Sequence, residues 1–123
     1  MPDVSQSTIA ELTQKVREFA AEREWEQFHS PRNLLLALVG EVGELAAEFQ
    51  WTSDDQVTNG LADSRKMSAI ESELADVLNY LLRLADVLNV DLGVALHNKL
   101  EINALRYPVD QSKGSSQKYT AYE

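Results

Sequence analysis

Residues 31–50 read PRNLLLALVGEVGELAAEFQ, and their periodicity decides the fold. Ser30-Pro31 is a helix cap followed by a first-turn proline, where the missing N–H of proline costs nothing. At about 100° per residue, Leu34, Leu38, Val42, Leu45 and Phe49 centre an apolar arc, and Glu41, Glu44 and Glu48 line one of its edges. The first half, from Leu34 to Val39, is apolar nearly all round, so it is expected to be buried from several sides, in a monomer core or a subunit interface. Gly40 and Gly43 each cost a helix about 1 kcal/mol. They fit either close helix packing or room for a ligand's phosphates beside the carboxylates.

The same design returns further along the chain. A helix expected over about 66–89 carries Ile70, Leu74, Val77, Leu78, Leu81, Ala85 and Leu88 on its apolar arc, with Glu73, Asp76 and Tyr80 at the edge. Upstream, Thr8-Ile9-Ala10-Glu11 has the form of a capping box. It opens a helix that fades near Glu24 and buries Ile9, Leu12, Val16, Phe19 and Ala20. Asp91 caps a fourth helix over 92–106, closed by Tyr107-Pro108. Residues 51–66 are rich in Thr, Ser, Asp, Asn and Gly and read as a loop. No strand pattern of convincing length occurs. The fold class is therefore all-α, an antiparallel four-helix bundle over 1–110, with 111–123 as a flexible polar tail.

The 123 residues, 44% hydrophobic and 25% charged, suit one soluble domain. With 20 acidic and 11 basic residues the formal charge is −9, which argues against binding a nucleic acid polymer through clustered cations. The chain has no cysteine, so disulfides and thiolate metal sites are excluded. Residues 1–7 lack a basic start followed by an apolar run, and no stretch reaches the length of a membrane span. A soluble, cytoplasmic protein without membrane association is expected.

Glu41 with Glu44, and Glu73 with Asp76, are carboxylate pairs three residues apart, each pair on one helical face beside the core. Four such groups repel one another when the helices pack, and unpaired charge beside a core is expensive. A hard divalent cation with oxygen ligands, Mg²⁺ or Mn²⁺, removes the conflict. Neither His29 nor His97 stands at the spacing from a glutamate that a di-iron bundle site needs. Lys99, Asn103 and Arg106 share one stripe of the fourth helix, and a basic stripe complements an acidic metal cluster in holding a polyphosphate. Trp25, Trp51 and Tyr80 read as core or interface aromatics, or as platforms for a base. His29 reads as a loop or capping residue. Glu48 is either an outer carboxylate that orients water or ligand, or a surface residue.

Glu41-Val42-Gly43-Glu44-Leu45 followed by Glu73-Leu74-Ala75-Asp76-Val77 resembles the ExxE…ExxD signature of the MazG-like all-α nucleoside triphosphate pyrophosphohydrolases. The flanking runs resemble the dCTP-hydrolysing branch of that family: residues 23–29, 31–38, Phe49-Gln50-Trp51, Arg106-Tyr107-Pro108 and Lys118-Tyr119-Thr120. The resemblance implies Mg²⁺-dependent cleavage between the α and β phosphates of dCTP or its 5-modified forms, in a homotetramer with sites between chains. It implies Glu41, Glu44, Glu73 and Asp76 as metal ligands, with Glu41 or Glu44 also taking the water's proton. Trp25, Trp51 and Tyr80 fall at nucleoside positions, and Lys99, Asn103, Arg106 and Tyr107 at phosphate or sugar positions. Two departures stand out. Val16 occupies the place of an expected base-contacting His, and Ala47 occupies the usual place of a third glutamate, displaced here to Glu48. The first departure keeps open another substrate, such as dUTP or a noncanonical nucleotide. A non-catalytic acidic module is the remaining alternative, and it gives no reason for the duplicated acidic pairs.

Overall fold

A computed structural model describes residues 3–60 and 64–123, and every regular element among them is helical. The α-helices are α1 (Ile9–Glu22), α2 (Pro31–Ala47), α3 (Asp54–Gly60), α4 (Ser64–Val87), α5 (Leu92–Arg106) and α6 (Val109–Ser112). Single 3₁₀ turns lie at Val4–Gln6, Trp25–Phe28 and Tyr119–Tyr122. The chain divides into two compact units, 1–90 and 91–123.

In the first unit the helix starts follow from their caps. The Thr8 hydroxyl oxygen accepts from the Glu11 N–H at 3.1 Å, and the hydroxyl itself donates to the Glu11 carboxylate. Ser30 Oγ accepts from the Asn33 N–H at 3.1 Å, and Asn33 Nδ2 donates to the Phe28 carbonyl, which ties the aromatic turn to the start of α2. α4 ends where Asn89, at φ 56°, turns the chain left-handed. The Asn89 N–H donates to the Asp86 carbonyl and the Val90 N–H to the Ala85 carbonyl, the pair of bonds of a Schellman motif.

α4 packs against both α1 and α2. Glu48, the C-cap of α2, pairs with Lys66 on α4, Glu41 lies beside Glu73, and Leu34 and Tyr80 line one cavity. As the number falls on one helix it rises on the other, so α2 and α4 are antiparallel. The core of this unit comprises Ala20, Leu34, Ile70, Leu82 and Ala85, with the charged Arg83 buried among the same elements.

Two expectations are corrected. Residues 51–66 are not simply a loop: α3 lies within them, and residues 61–63 fall outside the described residues. Its cause is a capping box, because the Ser53 N–H donates to Gln56 Oε1 and the Gln56 N–H to Ser53 Oγ. Asp54 and Asp55 add negative charge to the first turn, where the helix dipole favours it. Second, the burial on α4 follows the expected arc only in part, with Ile70 and Ala85 buried. Leu74, Leu78, Leu81 and Leu88 are exposed, whereas Leu82 and Arg83 are buried, because α1 and α2 flank that side and Asp86 neutralises the guanidinium. Of the apolar run on α2, Leu34 is buried within the chain, whereas Leu35, Leu36 and Val39 are 50%, 56% and 60% exposed.

The second unit holds α5, α6 and the last 3₁₀ turn. Asp91 caps α5 by accepting from the Val94 N–H. Residues 111–123, expected as a tail, fold back in part: Tyr119 and Tyr122 meet the Tyr107 ring edge-on, with centroids 6.1 and 6.2 Å away. No described helix is long and apolar enough to cross a membrane.

Candidate active site

The antiparallel crossing of α2 and α4 brings Glu41, Glu73 and Asp76 together. One carboxylate oxygen from each lies within 4.8 Å of those of the other two, and all three side chains are half-buried. Glu41 Oε2 and Glu73 Oε2 are buried without a hydrogen-bond partner, an arrangement that folding ordinarily avoids. Loss of water pushes the Glu41 carboxyl above its ordinary range, with further upward pressure from Glu44, Asp76 and Glu73. Glu73 is raised by the same loss of water and then by Glu44, Asp76 and Glu48. Glu44 is exposed and stands outside the trio, but its charge bears on both buried carboxylates.

Orphaned oxygens converging from two helices, with no nitrogen or sulfur donor among them, fit a hard divalent cation. Glu48 is engaged elsewhere, with its carboxylate 3.0 Å from Lys66 Nζ. Gly40 and Gly43 meet open space: a Cβ built on either finds nothing within 4 Å. Close packing within the chain is therefore not the reason for these glycines.

One helical turn from the carboxylates is a cavity of about 320 Å³, lined by Trp25, Phe28, His29, Asn33, Leu34, Ala37 and Tyr80. Ala37 precedes Glu41 by four residues on α2, and Tyr80 follows Asp76 by four on α4. The cavity thus lies on the side of the cluster that faces the aromatic turn. Trp25 is set by edge contacts with Phe19 at 5.9 Å and His29 at 6.4 Å. A smaller cavity of about 40 Å³ shares Trp25, His29 and Tyr80 with it and adds Val16, Phe19, Ala20, Asn79 and Arg83.

Trp51 is 93% exposed, at φ 66°, and is absent from the walls of these two cavities. Lys99, Asn103, Arg106 and Tyr107 belong to the second unit. In that unit the Arg106 guanidinium stacks 4.7 Å over the Tyr119 ring and borders a cavity of about 420 Å³ with Leu105, Pro108, Gln111, Tyr119 and Tyr122. His29 emerges as more than a loop residue, since Arg83 Nε donates to its Nδ1 at 3.0 Å. Arg83 itself was marked in the sequence only by its position inside the apolar run Leu81-Leu82-Arg83-Leu84-Ala85.

A model of the MazG-like family matches residues 37–121, which contain all four carboxylates. The chain belongs to the MazG-like family. This MazG-like chain is 51% identical over 116 residues to dCTP pyrophosphatase 1 of Bos taurus, covering 94% of the chain and 69% of that protein. It is 52% identical over 113 residues to the Mus musculus protein of the same name and 51% identical over 113 residues to the Homo sapiens one. Each of those alignments covers 92% of the chain and 66% of the relative. The MazG-like chain thus spans about two thirds of the length of these curated relatives. Its fold is also similar to the crystal structure of a pyrophosphatase from Archaeoglobus fulgidus. The TM-score is 0.75 with 40% identity, and the match covers 81% of this chain and 92% of that one.

Proposed function

We propose that the protein is a divalent-metal-dependent nucleoside triphosphate pyrophosphohydrolase that cleaves dCTP and 5-modified deoxycytidine triphosphates to the monophosphate and pyrophosphate. The observation that carries the reading is the juxtaposition of Glu41, Glu73 and Asp76 with an aromatic cavity one helical turn away. A nucleoside triphosphate has the matching layout, a flat base at one end and a polyanion that needs cations at the other. The vertebrate relatives, named as dCTP pyrophosphatases, support this substrate, and the archaeal relative, named as a pyrophosphatase, supports the reaction.

Glu41, Glu44, Glu73 and Asp76 hold Mg²⁺, with Mn²⁺ as a substitute; when bound, the metal neutralises phosphate charge and lowers the pKa of a water. Trp25 and Tyr80 stack the base, with Trp51 the third aromatic of the nucleoside site. Glu41 or Glu44 takes the proton of the water that attacks phosphorus in line. Lys99 and Arg106 balance the charge of the departing pyrophosphate, and Asn103 and Tyr107 serve the phosphates or sugar. The working form is a homotetramer of helical bundles with sites between chains. Its cellular role is the cytoplasmic removal of nucleotides from the triphosphate pool, without a nucleic acid polymer as partner.

A second reading, the same reaction on dUTP or a noncanonical nucleotide, draws on Val16, which lines the small cavity and offers a base no hydrogen bond there. The deciding experiment measures pyrophosphate release from canonical and modified triphosphates, with and without Mg²⁺, with chromatographic separation of products. Mg²⁺-dependent monophosphate and pyrophosphate, fastest from dCTP or its 5-substituted forms, is the expected result. Faster turnover of dUTP installs the second reading. No turnover of any triphosphate at high enzyme concentration removes both and leaves the acidic faces as an interaction surface.

A further inference from the structure

The second inference rests on the pyrophosphohydrolase reading and concerns how the cavity selects a base. Arg83 is 7% exposed, the one charged residue buried among the described residues. A guanidinium cannot shed its charge, so burial requires partners for its N–H groups. Nη1 donates to Asp86 Oδ2 at 2.9 Å. Asp86 is in turn gripped from α1 by Arg17, whose Nε and Nη2 donate to Oδ2 and Oδ1 at 2.9 and 2.6 Å. Arg83 Nε donates to His29 Nδ1 from 3.0 Å.

Arginine has donors and no acceptor, so the nitrogen it addresses must present a lone pair. His29 is thereby neutral with its proton on Nε2. Burial, followed by the nearby Arg83 charge, holds the His29 pKa below its ordinary value, in keeping with the neutral ring; Glu26 opposes this weakly. His29 lines both the 320 Å³ cavity and the 40 Å³ cavity, each time together with Trp25 and Tyr80. Val16, which also lines the smaller one, has no polar group to offer.

We propose that Arg83 is a positioning residue for base recognition: by fixing His29 as the Nε2–H tautomer, it gives the Trp25–Tyr80 cavity a hydrogen-bond donor. The donor selects a base edge of adjoining acceptors. Cytosine has such an edge in its carbonyl oxygen and unprotonated ring nitrogen, whereas uracil and thymine carry a proton on that nitrogen and set donor against donor. Arg17 and Asp86 act one step further out, as the clamp that keeps Arg83 aligned.

The test combines tautomer and selectivity. The chain has two histidines, so long-range ¹H–¹⁵N correlation spectra at pH 7.5, with His29→Gln for assignment, read the His29 tautomer directly. The wild type should show an unprotonated Nδ1, and Arg83→Met should convert this to a mixture. Arg83→Met should also raise KM for dCTP about tenfold, the effect of one displaced hydrogen bond, with a smaller change in kcat. Preference for dCTP over dUTP should fall by a similar factor. Arg83→Lys, which keeps a donor, should recover part of both. His29→Phe removes the Nε2–H, leaves the Arg83–Asp86 pair in place, and should lose the same selectivity even if Arg83→Met does not fold. A wild-type His29 protonated on Nδ1, or dCTP selectivity untouched by Arg83→Met and His29→Phe, overturns the proposal while triphosphate hydrolysis stands. A wild type that hydrolyses no triphosphate defeats the functional reading, and base recognition with it.

Discussion

At Glu73 a carboxylate oxygen is buried without a hydrogen-bond partner among other carboxylates, and its pKa is raised first by loss of water. A raised folded-state pKa means that the fold favours the protonated form. The contribution to stability is present below the unfolded value and lost as pH rises through the folded one. Near pH 7.5 the metal-free protein therefore bears a cost at this cluster, and Glu73→Gln should raise its Tm. The same substitution should abolish the rise in Tm that Mg²⁺ gives the wild type and reduce turnover by more than about a hundredfold. Calorimetry with and without Mg²⁺ checks both effects; an unchanged Mg²⁺ response would remove Glu73 from the ligand set. The opposite sign holds at His29 and Asp86. Burial depresses His29, and the Arg17 hydrogen bond depresses Asp86, so each contributes stability above its unfolded pKa that is lost as pH falls. Acid should lower Tm in two steps, below about pH 6.5 and again below about pH 4. His29→Gln should remove the first step and Arg17→Met most of the second in a Tm-against-pH series. The carboxylates were legible because their spacing on each helix is local. The Arg17–Asp86–Arg83–His29 chain was not, since Arg17 and Asp86 are 69 residues apart and only packing joins them.

Among the elements, α2 and α4 carry the candidate carboxylate cluster, and their antiparallel packing joins Glu41 to Glu73. The Schellman motif closing α4 needs Asn89 at φ 56°, where a β-branched side chain is strained. Asn89→Gly should be neutral or mildly stabilising, and Asn89→Val should cost about 1–2 kcal/mol in urea unfolding. Equal stability of the two variants would mean that the end of α4 frays without consequence. Three of the helix starts were legible from Thr8, Ser30 and Asp91, because a cap is a local hydrogen bond written in adjacent residues. α3 carried the same mark in Ser53-Asp54-Asp55-Gln56, but the polar composition around it favoured a loop reading. The buried face of α4 was the least legible. Its apolar residues encircle more of the helix than one chain covers, and the sequence alone does not say which side meets α1.

On the scale of the whole molecule, apolar side chains remain exposed on the helix that carries half of the carboxylates. Leu35, Leu36 and Val39 are half exposed or more and adjacent on α2, and Val42 continues the face at 47%. Scattered apolar side chains are ordinary on a surface; a contiguous set on one helix marks an interaction site. The formal charge of −9 opposes association between copies, so apolar contact has to outweigh that repulsion. The proposed homo-oligomer gives this face a partner, where the exposure of Leu35, Leu36 and Val39 does not fit burial in a monomer core. The wild type should therefore scatter light as a multiple of the chain mass at micromolar concentration. Val39→Glu, four residues from Gly43 and outside the carboxylate trio, should reduce that mass while far-ultraviolet circular dichroism stays helical. If the site is completed by a neighbouring copy, triphosphate turnover should fall in parallel with the mass. A wild type that is monomeric at tens of micromolar and fully active would place the whole site within one chain and leave the α2 face to a different partner.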